Sequence, residues 1–321
     1  MLKVDGISRT YGDLKVVDKL SFNVNEGEFV ALLGPSGCGK STSLKMIAGL
    51  EEPDEGSIEL DGRDITPLSP GDRKLAMVFQ SYALFPHLKV EENILFGLQA
   101  RKVPKDEQKK RLDSVVELVG LGDHLQKKPG QLSGGQCQRV ALARAIVAQA
   151  KLCLMDEPLS NLDAKLRNEM RTEIRALQQR LGMSVIYVTH DQVEAMSMAD
   201  RIVLMNNGKV EQIDVPEALY SKPKTIFTAQ FIGSPPMNII GSGELCRGIR
   251  PEHIEISEEG MPASVVSCDY HGADTIVLAD VSTAGEDQKL IKIRYPGHAM
   301  FAPQQRLAVR WALENEHKFS I

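Results

Sequence analysis

The feature that most limits the fold of this chain is the glycine-rich run from Gly34 to Ser41, which reads Gly-Pro-Ser-Gly-Cys-Gly-Lys-Ser. It fits the pattern G-x-x-x-x-G-K-[ST], follows the apolar segment 28–33 and precedes a helix predicted to begin near Lys40. Glycines let backbone N–H groups converge on an anion, and the helix dipole adds to the attraction. The run therefore predicts a phosphate-binding loop, in which Lys40 supplies charge to the phosphates and Ser41 offers a hydroxyl to Mg²⁺.

Short apolar segments alternate with amphipathic ones over roughly the first 205 residues, which is typical of an α/β domain with a largely parallel sheet. The buried-strand candidates are 28–33, 75–79, 152–155, 185–188 and 202–205. Segments 2–7, 16–24 and 57–60 predict an antiparallel β layer beside that sheet. Helical patterns at 105–119, 135–150 and 164–181 indicate a helical subdomain over about 86–150 and one further helix, which stops at Gly182.

The composition fits a folded globular chain. Of its 321 residues, 42% are hydrophobic and 25% charged, which argues against disorder and fibrous repeats. The net charge of −5 gives no general electrostatic case for nucleic-acid binding. Apolar runs stay far below the roughly 18 residues of a membrane span, and charges interrupt the N-terminal residues before a signal peptide could form. We therefore expect a protein that stays in the cytosol and has no nucleic-acid partner.

The clearest linker signal is Gly233-Ser234-Pro235-Pro236. After it, β-branched runs such as Thr275 to Leu278 and Leu290 to Ile293 replace the helical patterns. The sequence therefore predicts two domains, an α/β domain over 1–233 and a small β-barrel-like domain over 234–321.

Polar side chains follow three of the predicted buried strands. Asp156 and Glu157 come after 152–155, His190 follows the strand that starts at Val185, and Gln80 follows 75–79. In open parallel sheets such strand ends gather ligand sites. Asp156 is placed to hold Mg²⁺, and Glu157 is placed to take a proton from an attacking water.

The run Leu132-Ser133-Gly134-Gly135-Gln136 makes the chain resemble an ABC ATPase. The resemblance implies that Tyr11 stacks on the adenine of ATP, that Gln80 senses Mg²⁺ and the attacking water, and that His190 completes the half-site. It also implies that Ser133, Gly135 and Gln136 contact the γ-phosphate held by a second subunit, so that a homodimer shares two sites, with Ser160 to Asp163 at the seam. The residues expected to wrap the phosphates are Gly34, Pro35, Ser36, Gly37, Cys38, Gly39, Lys40, Ser41 and Thr42.

Closer similarity runs along the whole chain to ATPase subunits of carbohydrate-uptake ABC importers of the maltose and glycerol-3-phosphate types. It is carried by the runs 157–163, 188–192, 231–238 and 248–253. It implies a peripheral subunit on the cytoplasmic face of the inner membrane, two permease subunits bound along Ser81–Val90, an external solute-binding protein and a C-terminal regulatory domain. The apolar Leu84, Phe85 and Leu88 suit either permease docking or core packing.

Two departures from the importer group stand out. Cys137 replaces the usual basic residue, and only 239–247 separates Asn238 from Gly248 where relatives carry a longer β segment, so we expect a shortened regulatory domain. Two other functions stay open: an importer ATPase for polyamines or oxyanions, which shares these motifs, and a soluble ABC protein that remodels nucleic-acid or ribosomal complexes. Such soluble proteins usually carry two cassettes or a long coiled coil, and this sequence contains one cassette.

Overall fold

A computed structural model describes residues 1–241, 245–282 and 290–320. Contacts divide the chain into two compact units, Met1–Pro216 and Glu217–Ile321. The sequence places the boundary later, near Gly233, so the Gly-Ser-Pro-Pro linker lies inside the second unit. Within the described ranges, no helix has both the length and the apolar character needed to cross a membrane.

The first unit contains two sheets. Its strands are β1 (Leu2–Tyr11), β2 (Leu14–Val24), β3 (Phe29–Leu33), β4 (Glu55–Leu60), β5 (Arg63–Asp64), β6 (Ala76–Val78), β7 (Leu152–Asp156), β8 (Ser184–Thr189), β9 (Arg201–Asn206) and β10 (Lys209–Asp214). The larger sheet has the order β10-β9-β3-β8-β7-β6, with β10 antiparallel and the other five strands parallel. The smaller sheet is antiparallel, in the order β2-β1-β4-β5. The predicted α/β architecture with an antiparallel layer is confirmed.

Helices cover both faces of the parallel sheet. They are α1 (Lys40–Ala48), α2 (Val90–Ala100), α3 (Lys105–Val119), α4 (Gly134–Val147), α5 (Ala164–Leu181) and α6 (Gln192–Met198). The α3 helix buries Leu112, Val115, Val116 and Val119 on one face, as its sequence period predicts. At the start of α5 the Asp163 carboxylate accepts the Leu166 N–H, and Gly182 ends the helix in the left-handed conformation.

The parallel sheet separates two hydrophobic cores, because side chains of its strands alternate between the faces. Phe29 and Tyr187 pack in a core formed with helices α2 to α5. Val30, Leu32 and Val188 pack in a second core with α1 and the antiparallel sheet. Every residue of β3 and β8 is buried, which is the usual state of strands inside a parallel sheet. This burial fixes the strands, and with them the loops that leave their carboxyl ends.

The second unit begins one residue inside α7 (Pro216–Ser221), includes α8 (Ile226–Phe231) and continues as antiparallel strands. The strands are β11 (Asn238–Ile240), β12 (Leu245–Ile249), β13 (Glu255–Ser257), β14 (Met261–Tyr270), β15 (Asp274–Asp280), β16 (Leu290–Pro296), β17 (Arg306–Arg310) and β18 (His317–Ser320). Where the structure describes this unit, they form one sheet of three strands and one of five. Of the expected shortened segment, 242–244 lie outside the described residues, and its flanks β11 and β12 pair as an antiparallel hairpin.

Arg250 holds the helices of the second unit through its buried guanidinium group, which is only 1% exposed. Its Nη1 donates to the carbonyls of Ala229 and Ile232, and its Nη2 donates to the Tyr220 carbonyl at 2.8 Å. The guanidinium carbon also lies 4.0 Å from the centre of the Tyr220 ring. These bonds attach α7 and α8 to the second unit, which explains why the division falls before the Gly-Ser-Pro-Pro linker.

The substitution Arg250→Ala is expected to lower the free energy of unfolding of the second unit by about 3 kcal/mol, because it removes a buried guanidinium group that donates to three carbonyl oxygens. Urea unfolding followed by fluorescence measures this directly, since Trp311, the single tryptophan, lies in the second unit. The matched control is Arg310→Ala, which removes an exposed arginine paired with Glu255 and should change stability by no more than about 0.5 kcal/mol. Equal unfolding midpoints for the two variants would contradict this account of Arg250.

Candidate active site

The candidate site lies at the carboxyl ends of four adjacent parallel strands. The phosphate-binding loop, Gly34–Ser41, leaves β3; His190 follows β8; Asp156 and Glu157 stand at the end of β7; and Gln80 comes shortly after β6. Because these strands are neighbours in the order β3-β8-β7-β6, their ends meet at one edge of the sheet. The structure therefore brings together the side chains that the sequence predicts from separate strand ends.

The phosphate-binding loop is held closely by its surroundings. Gly39 caps α1 in a left-handed conformation with φ of 96°, and a Cβ atom there would lie 2.5 Å from the carbonyl oxygen of Val16 on β2. Only glycine fits this position without moving the backbone. The first N–H groups of α1 then point out of the helix beside the loop, where an anion would meet them.

Lys40 places its ammonium group inside this loop. The side chain is 5% exposed, and Nζ donates to the carbonyls of Gly34 at 2.9 Å and Pro35 at 2.8 Å. The Sγ atom of Cys38 lies 3.7 Å from the same Nζ. Burial raises the pKa of the Cys38 thiol, so near neutral pH it stays protonated and unreactive.

Asp156 and Ser41 meet across the site. The Ser41 hydroxyl donates to Asp156 Oδ1 at 2.8 Å, and burial raises the pKa of the Asp156 carboxyl. A partly buried carboxylate beside a hydroxyl is a donor set of hard oxygen atoms, which suits Mg²⁺. Among the described residues, no cluster of three or more His, Cys, Asp or Glu side chains forms a metal cage.

Glu157 and His190 form a second pair. His190 Nδ1 lies 3.1 Å from Glu157 Oε2, with the glutamate side chain 20% exposed and the histidine 56% exposed. The backbone of Glu157 is in the left-handed region at φ of 43°, and its N–H donates to the Val188 carbonyl at 3.0 Å. A non-glycine residue in this region carries local strain, which the surrounding structure must support. The carboxylate is therefore held at a defined position beside the imidazole.

Three side chains, whose contacts sequence reasoning missed, hold the segment after β6. Asn161 Nδ2 donates to the Gln80 carbonyl at 2.9 Å. Arg144 of α4 donates to the carbonyls of Tyr82 and Ala83, two consecutive residues with positive φ. These contacts join residues more than sixty positions apart, so no local pattern could reveal them.

The third of these side chains is Asn93, a fully buried residue of α2. It accepts the Phe85 N–H at 2.8 Å and donates to the carbonyls of Phe85, Leu88 and Lys89. The centres of the Phe85 ring and the half-exposed Phe96 ring lie 4.3 Å apart. Leu84 packs against the core that contains Phe29 and Tyr187. The segment thus serves both core packing and an exposed aromatic surface.

The run 132–136 lies at the N-terminus of α4. The Ser133 hydroxyl accepts the Gln136 N–H at 3.3 Å, and the Gln136 side-chain oxygen accepts the Ser133 N–H at 2.9 Å, which is a capping box. A Cβ atom on Gly135 would lie 3.0 Å from the Leu166 side chain of α5. The second glycine therefore permits close packing, while Ser133 stays exposed at the helix tip.

Tyr11 lies at the end of β1, beside the turn into β2. Its ring is 43% exposed, its hydroxyl donates to Glu51 at 2.6 Å, and the Arg9 guanidinium lies 5.2 Å from the ring centre. These two contacts hold the aromatic ring at the surface of the unit that contains the phosphate-binding loop. An exposed, oriented ring of this kind can stack on a nucleotide base.

Comparison with known proteins decides the family. The sequence model of the ABC transporter family matches residues 17–160, and that of the TOBE domain matches residues 247–319. Over 334 residues the chain is 44% identical to the sn-glycerol-3-phosphate import ATP-binding protein UgpC of Ruegeria sp. (strain TM1040), covering 97% of this chain and 94% of that protein. The chain belongs to the ABC transporter family. It binds and hydrolyses ATP.

This ABC ATPase is also 47% identical over 290 residues to the spermidine/putrescine import ATP-binding protein PotA of Bacillus thuringiensis (strain Al Hakam), covering 90% of this chain and 86% of that protein. A solved dimeric structure of a post-hydrolysis state of the ATP-binding cassette MJ0796, bound to ADP and Pi, is 32% identical with a TM-score of 0.60. That match covers 67% of this chain and all but 1% of the other. The predicted family and fold class are therefore confirmed.

The predicted residues of this ABC ATPase fall into two groups. One group gathers at the strand ends of the parallel sheet, and it comprises the phosphate-binding loop, Gln80, Asp156, Glu157 and His190. The other group, Ser133 to Gln136, lies at the N-terminus of α4. Ser133 and Gln136 bond to each other there, and Gln136 Nε2 lies 3.2 Å from His124 Nε2. The chemical role of each residue stays a prediction.

Proposed function

We propose that this ABC ATPase energises uptake of a carbohydrate or polyol derivative by hydrolysing ATP in a homodimer beneath two membrane permease subunits. The observation that supports this solute class most is the 44% identity to UgpC along nearly the whole of both chains. The 47% identity to PotA supports a second candidate, a polyamine importer. Oxyanion import uses the same catalytic motifs and stays a further alternative.

The phosphates of ATP would bind at the N-terminus of α1. Its N–H groups and the buried ammonium of Lys40 lie at the phosphate-binding loop and would supply positive charge to the phosphates. Tyr11 would stack on adenine with its exposed ring. Pro35, Ser36, Gly37 and Thr42 complete the loop and the first turn of α1 around the phosphates.

The substitution Lys40→Ala is expected to weaken ATP binding by about 10-fold or more, since a charge-assisted hydrogen bond contributes about 1.5 to 3 kcal/mol. Fluorescence titration with a labelled ATP analogue measures the affinity. Lys109→Ala is the control, because it removes the same charge from an exposed position on α3 and should change affinity by less than about twofold. Unchanged affinity in the Lys40 variant, with the fold intact, would count against the proposed loop.

Asp156, Ser41 and Gln80 would hold Mg²⁺, partly through water. When bound, Mg²⁺ offsets the charge on the β- and γ-phosphates during transfer. Glu157 would accept the proton of the attacking water, and a carboxylate held beside His190 is placed to do so. His190 Nδ1 would fix the orientation of that carboxylate, and Gln80 would orient the water at the end of β6.

The γ-phosphate would also need donors from the partner copy. Ser133, Gly135 and Gln136 lie at the N-terminus of α4, which carries exposed N–H groups and the positive end of the helix dipole. Facing the phosphate-binding loop of a second subunit, this terminus would complete the ring of donors around the transferred group. ATP binding would then close the dimer, with 160–163 at its seam, and phosphate release would reopen it.

The permease subunits would bind along Ser81–Val90. Phe85 and Phe96 form a half-exposed aromatic pair there, and aromatic residues are enriched at protein interfaces. Arg144 links this segment to α4, the helix that begins at Ser133. Because ATP is available inside the cell, we place the subunit on the cytoplasmic face of the membrane. An external binding protein would deliver the solute.

The test is purification from native membranes followed by reconstitution. Proteins that co-purify with the tagged subunit are identified by mass spectrometry, and the complex is placed in liposomes with its binding protein. ATPase stimulation and uptake are then measured with sn-glycerol 3-phosphate, maltose and spermidine. Stimulation by the first or second supports the main proposal, and stimulation by spermidine alone favours the polyamine alternative. Recovery of ribosomes in place of permeases would overturn both.

A further inference from the structure

A buried carboxylate lies directly behind His190. Glu194, on α6, is only 4% exposed, and its Oε2 accepts the hydroxyl of Thr189 at 2.7 Å and the hydroxyl of Tyr187 at 2.9 Å. Both hydroxyls belong to β8, the strand that ends just before His190. Burial raises the pKa of the Glu194 carboxyl, and the two hydroxyl donors act in the opposite direction. A buried acidic group is costly unless it is paired, so its bonds point to a specific role.

The bonds of Glu194 reach both backbone neighbours of His190. The Thr189 hydroxyl, which donates to Glu194, also accepts the N–H of Asp191 at 2.9 Å. Asp191 in turn caps α6 by accepting the Val193 N–H at 2.7 Å. The residues before and after His190 are therefore fixed by one chain of hydrogen bonds. Since the His190 side chain is 56% exposed, its position depends strongly on this backbone.

Arg167 extends the network to α5. Its Nη1 lies 3.6 Å from Asp191 Oδ2, its Nε lies 4.0 Å from Glu194 Oε1, and its Nη2 donates to the Leu162 carbonyl at 3.0 Å. A cavity of about 30 Å³ is lined by Glu157, His190, Glu194 and their neighbours, which leaves room for about one water molecule. The buried network thus adjoins the Glu157–His190 pair, and the cavity between them is small.

We propose that Glu194 is a positioning residue for ATP hydrolysis. Through the Thr189 hydroxyl, it holds the backbone of 189–191 so that the His190 imidazole stays within hydrogen-bond distance of the Glu157 carboxylate. The proposal rests on the proposed roles of Glu157 and His190 in the previous section. Displacement of a catalytic group by about 1 Å can lower the rate about 100-fold. Loss of the Glu194–Thr189 hydrogen bond should therefore lower turnover without affecting ATP binding.

Thr189→Val is the first test, because valine keeps the β-branched shape and removes only the hydroxyl. It is expected to lower kcat about 10-fold, with the KM for ATP unchanged. Tyr187→Phe is the matched control. It removes a hydroxyl that donates to the same oxygen of Glu194, yet Tyr187 does not flank His190, so kcat should stay within about twofold. A general loss of stability would affect both variants alike.

Two further variants address Glu194 itself. Glu194→Ala should lower kcat as Thr189→Val does, and Glu194→Gln, which keeps an oxygen acceptor, should recover most of the turnover. In a His190→Ala background, Glu194→Ala should cause no additional loss, because both changes act on the same contact. Thermal melting of each variant accompanies the kinetics, so that a misfolded protein is recognised.

The outcomes separate the inference from the function on which it rests. If His190→Ala lowers kcat strongly but to a rate that is still measurable, while Thr189→Val leaves kcat unchanged, the positioning role of Glu194 is wrong and the catalytic proposal stands. Equal losses in Thr189→Val and Tyr187→Phe, or additive losses in the His190→Ala background, would also overturn it. Full turnover in His190→Ala would overturn the role of His190 and this inference together.

Discussion

Replacing Glu157 by glutamine is expected to lower ATP turnover by about 100-fold or more while ATP still binds, because general base catalysis contributes about 10² to 10⁴ in rate. Glutamine has the size of glutamate and can still accept a hydrogen bond from His190 Nδ1, which lies 3.1 Å from Glu157 Oε2. It has no basicity toward water. ATP would therefore accumulate unhydrolysed in the closed dimer, and light scattering after size exclusion should detect that dimer only when ATP and Mg²⁺ are present.

The matched control for this prediction is Glu169→Gln, which neutralises an exposed glutamate on α5 and should keep turnover within about twofold. Steady-state phosphate release and ATP affinity are measured for both variants. Turnover close to that of the unmodified protein in Glu157→Gln would rule out Glu157 as the main base. Loss of ATP binding in that variant would instead indicate that the carboxylate serves the structure of the loop.

Local signals explain why the candidate site could be predicted from the sequence. The phosphate-binding loop, the residues after β7 and His190 each follow a short buried strand, and the parallel order of those strands brings their ends together. The helix α3 was predictable for a related reason, since its apolar residues repeat with the helical period. In each of these elements, the local pattern and the tertiary structure favour the same conformation.

Side-chain contacts that exist only in the folded chain explain what the sequence did not reveal. Arg144 and Asn93 bind backbone carbonyls of the segment after Gln80, and Glu194 binds two hydroxyls of β8. The local sequence around these residues does not indicate which groups they bind. The boundary between the two units is likewise set by side-chain contacts in the folded chain. The turn signal at Gly233 is local, but Arg250 binds carbonyls from Tyr220 to Ile232 and so includes that segment in the second unit.

The substitution Ser133→Arg is expected to abolish hydrolysis, with a loss of about 100-fold or more, while the subunit still binds ATP in its own loop. Ser133 is the exposed cap of α4, and an arginine there would remove the cap and fill the space proposed for the γ-phosphate of the partner. Ser114→Arg places the same side chain on an exposed position of α3 and should leave turnover unchanged. Retained turnover in Ser133→Arg would argue against contacts from a second subunit.

Mixing two defective proteins, at an ATP concentration too low to fill the Lys40→Ala loop, provides the sharper test of shared sites. In a mixed dimer of Ser133→Arg with Lys40→Ala, one composite site combines both defects and the other contains neither. Random exchange of subunits should therefore restore about a quarter of normal turnover if the two sites act independently. Glu157→Gln mixed with Lys40→Ala is the control, because both residues belong to the same half-site and every composite site keeps one defect. If α4 of one copy completes the phosphate-binding loop of the other, turnover should be restored in the first mixture alone. If neither mixture recovers turnover, either the whole site lies within a single chain or the two sites are obligatorily coupled.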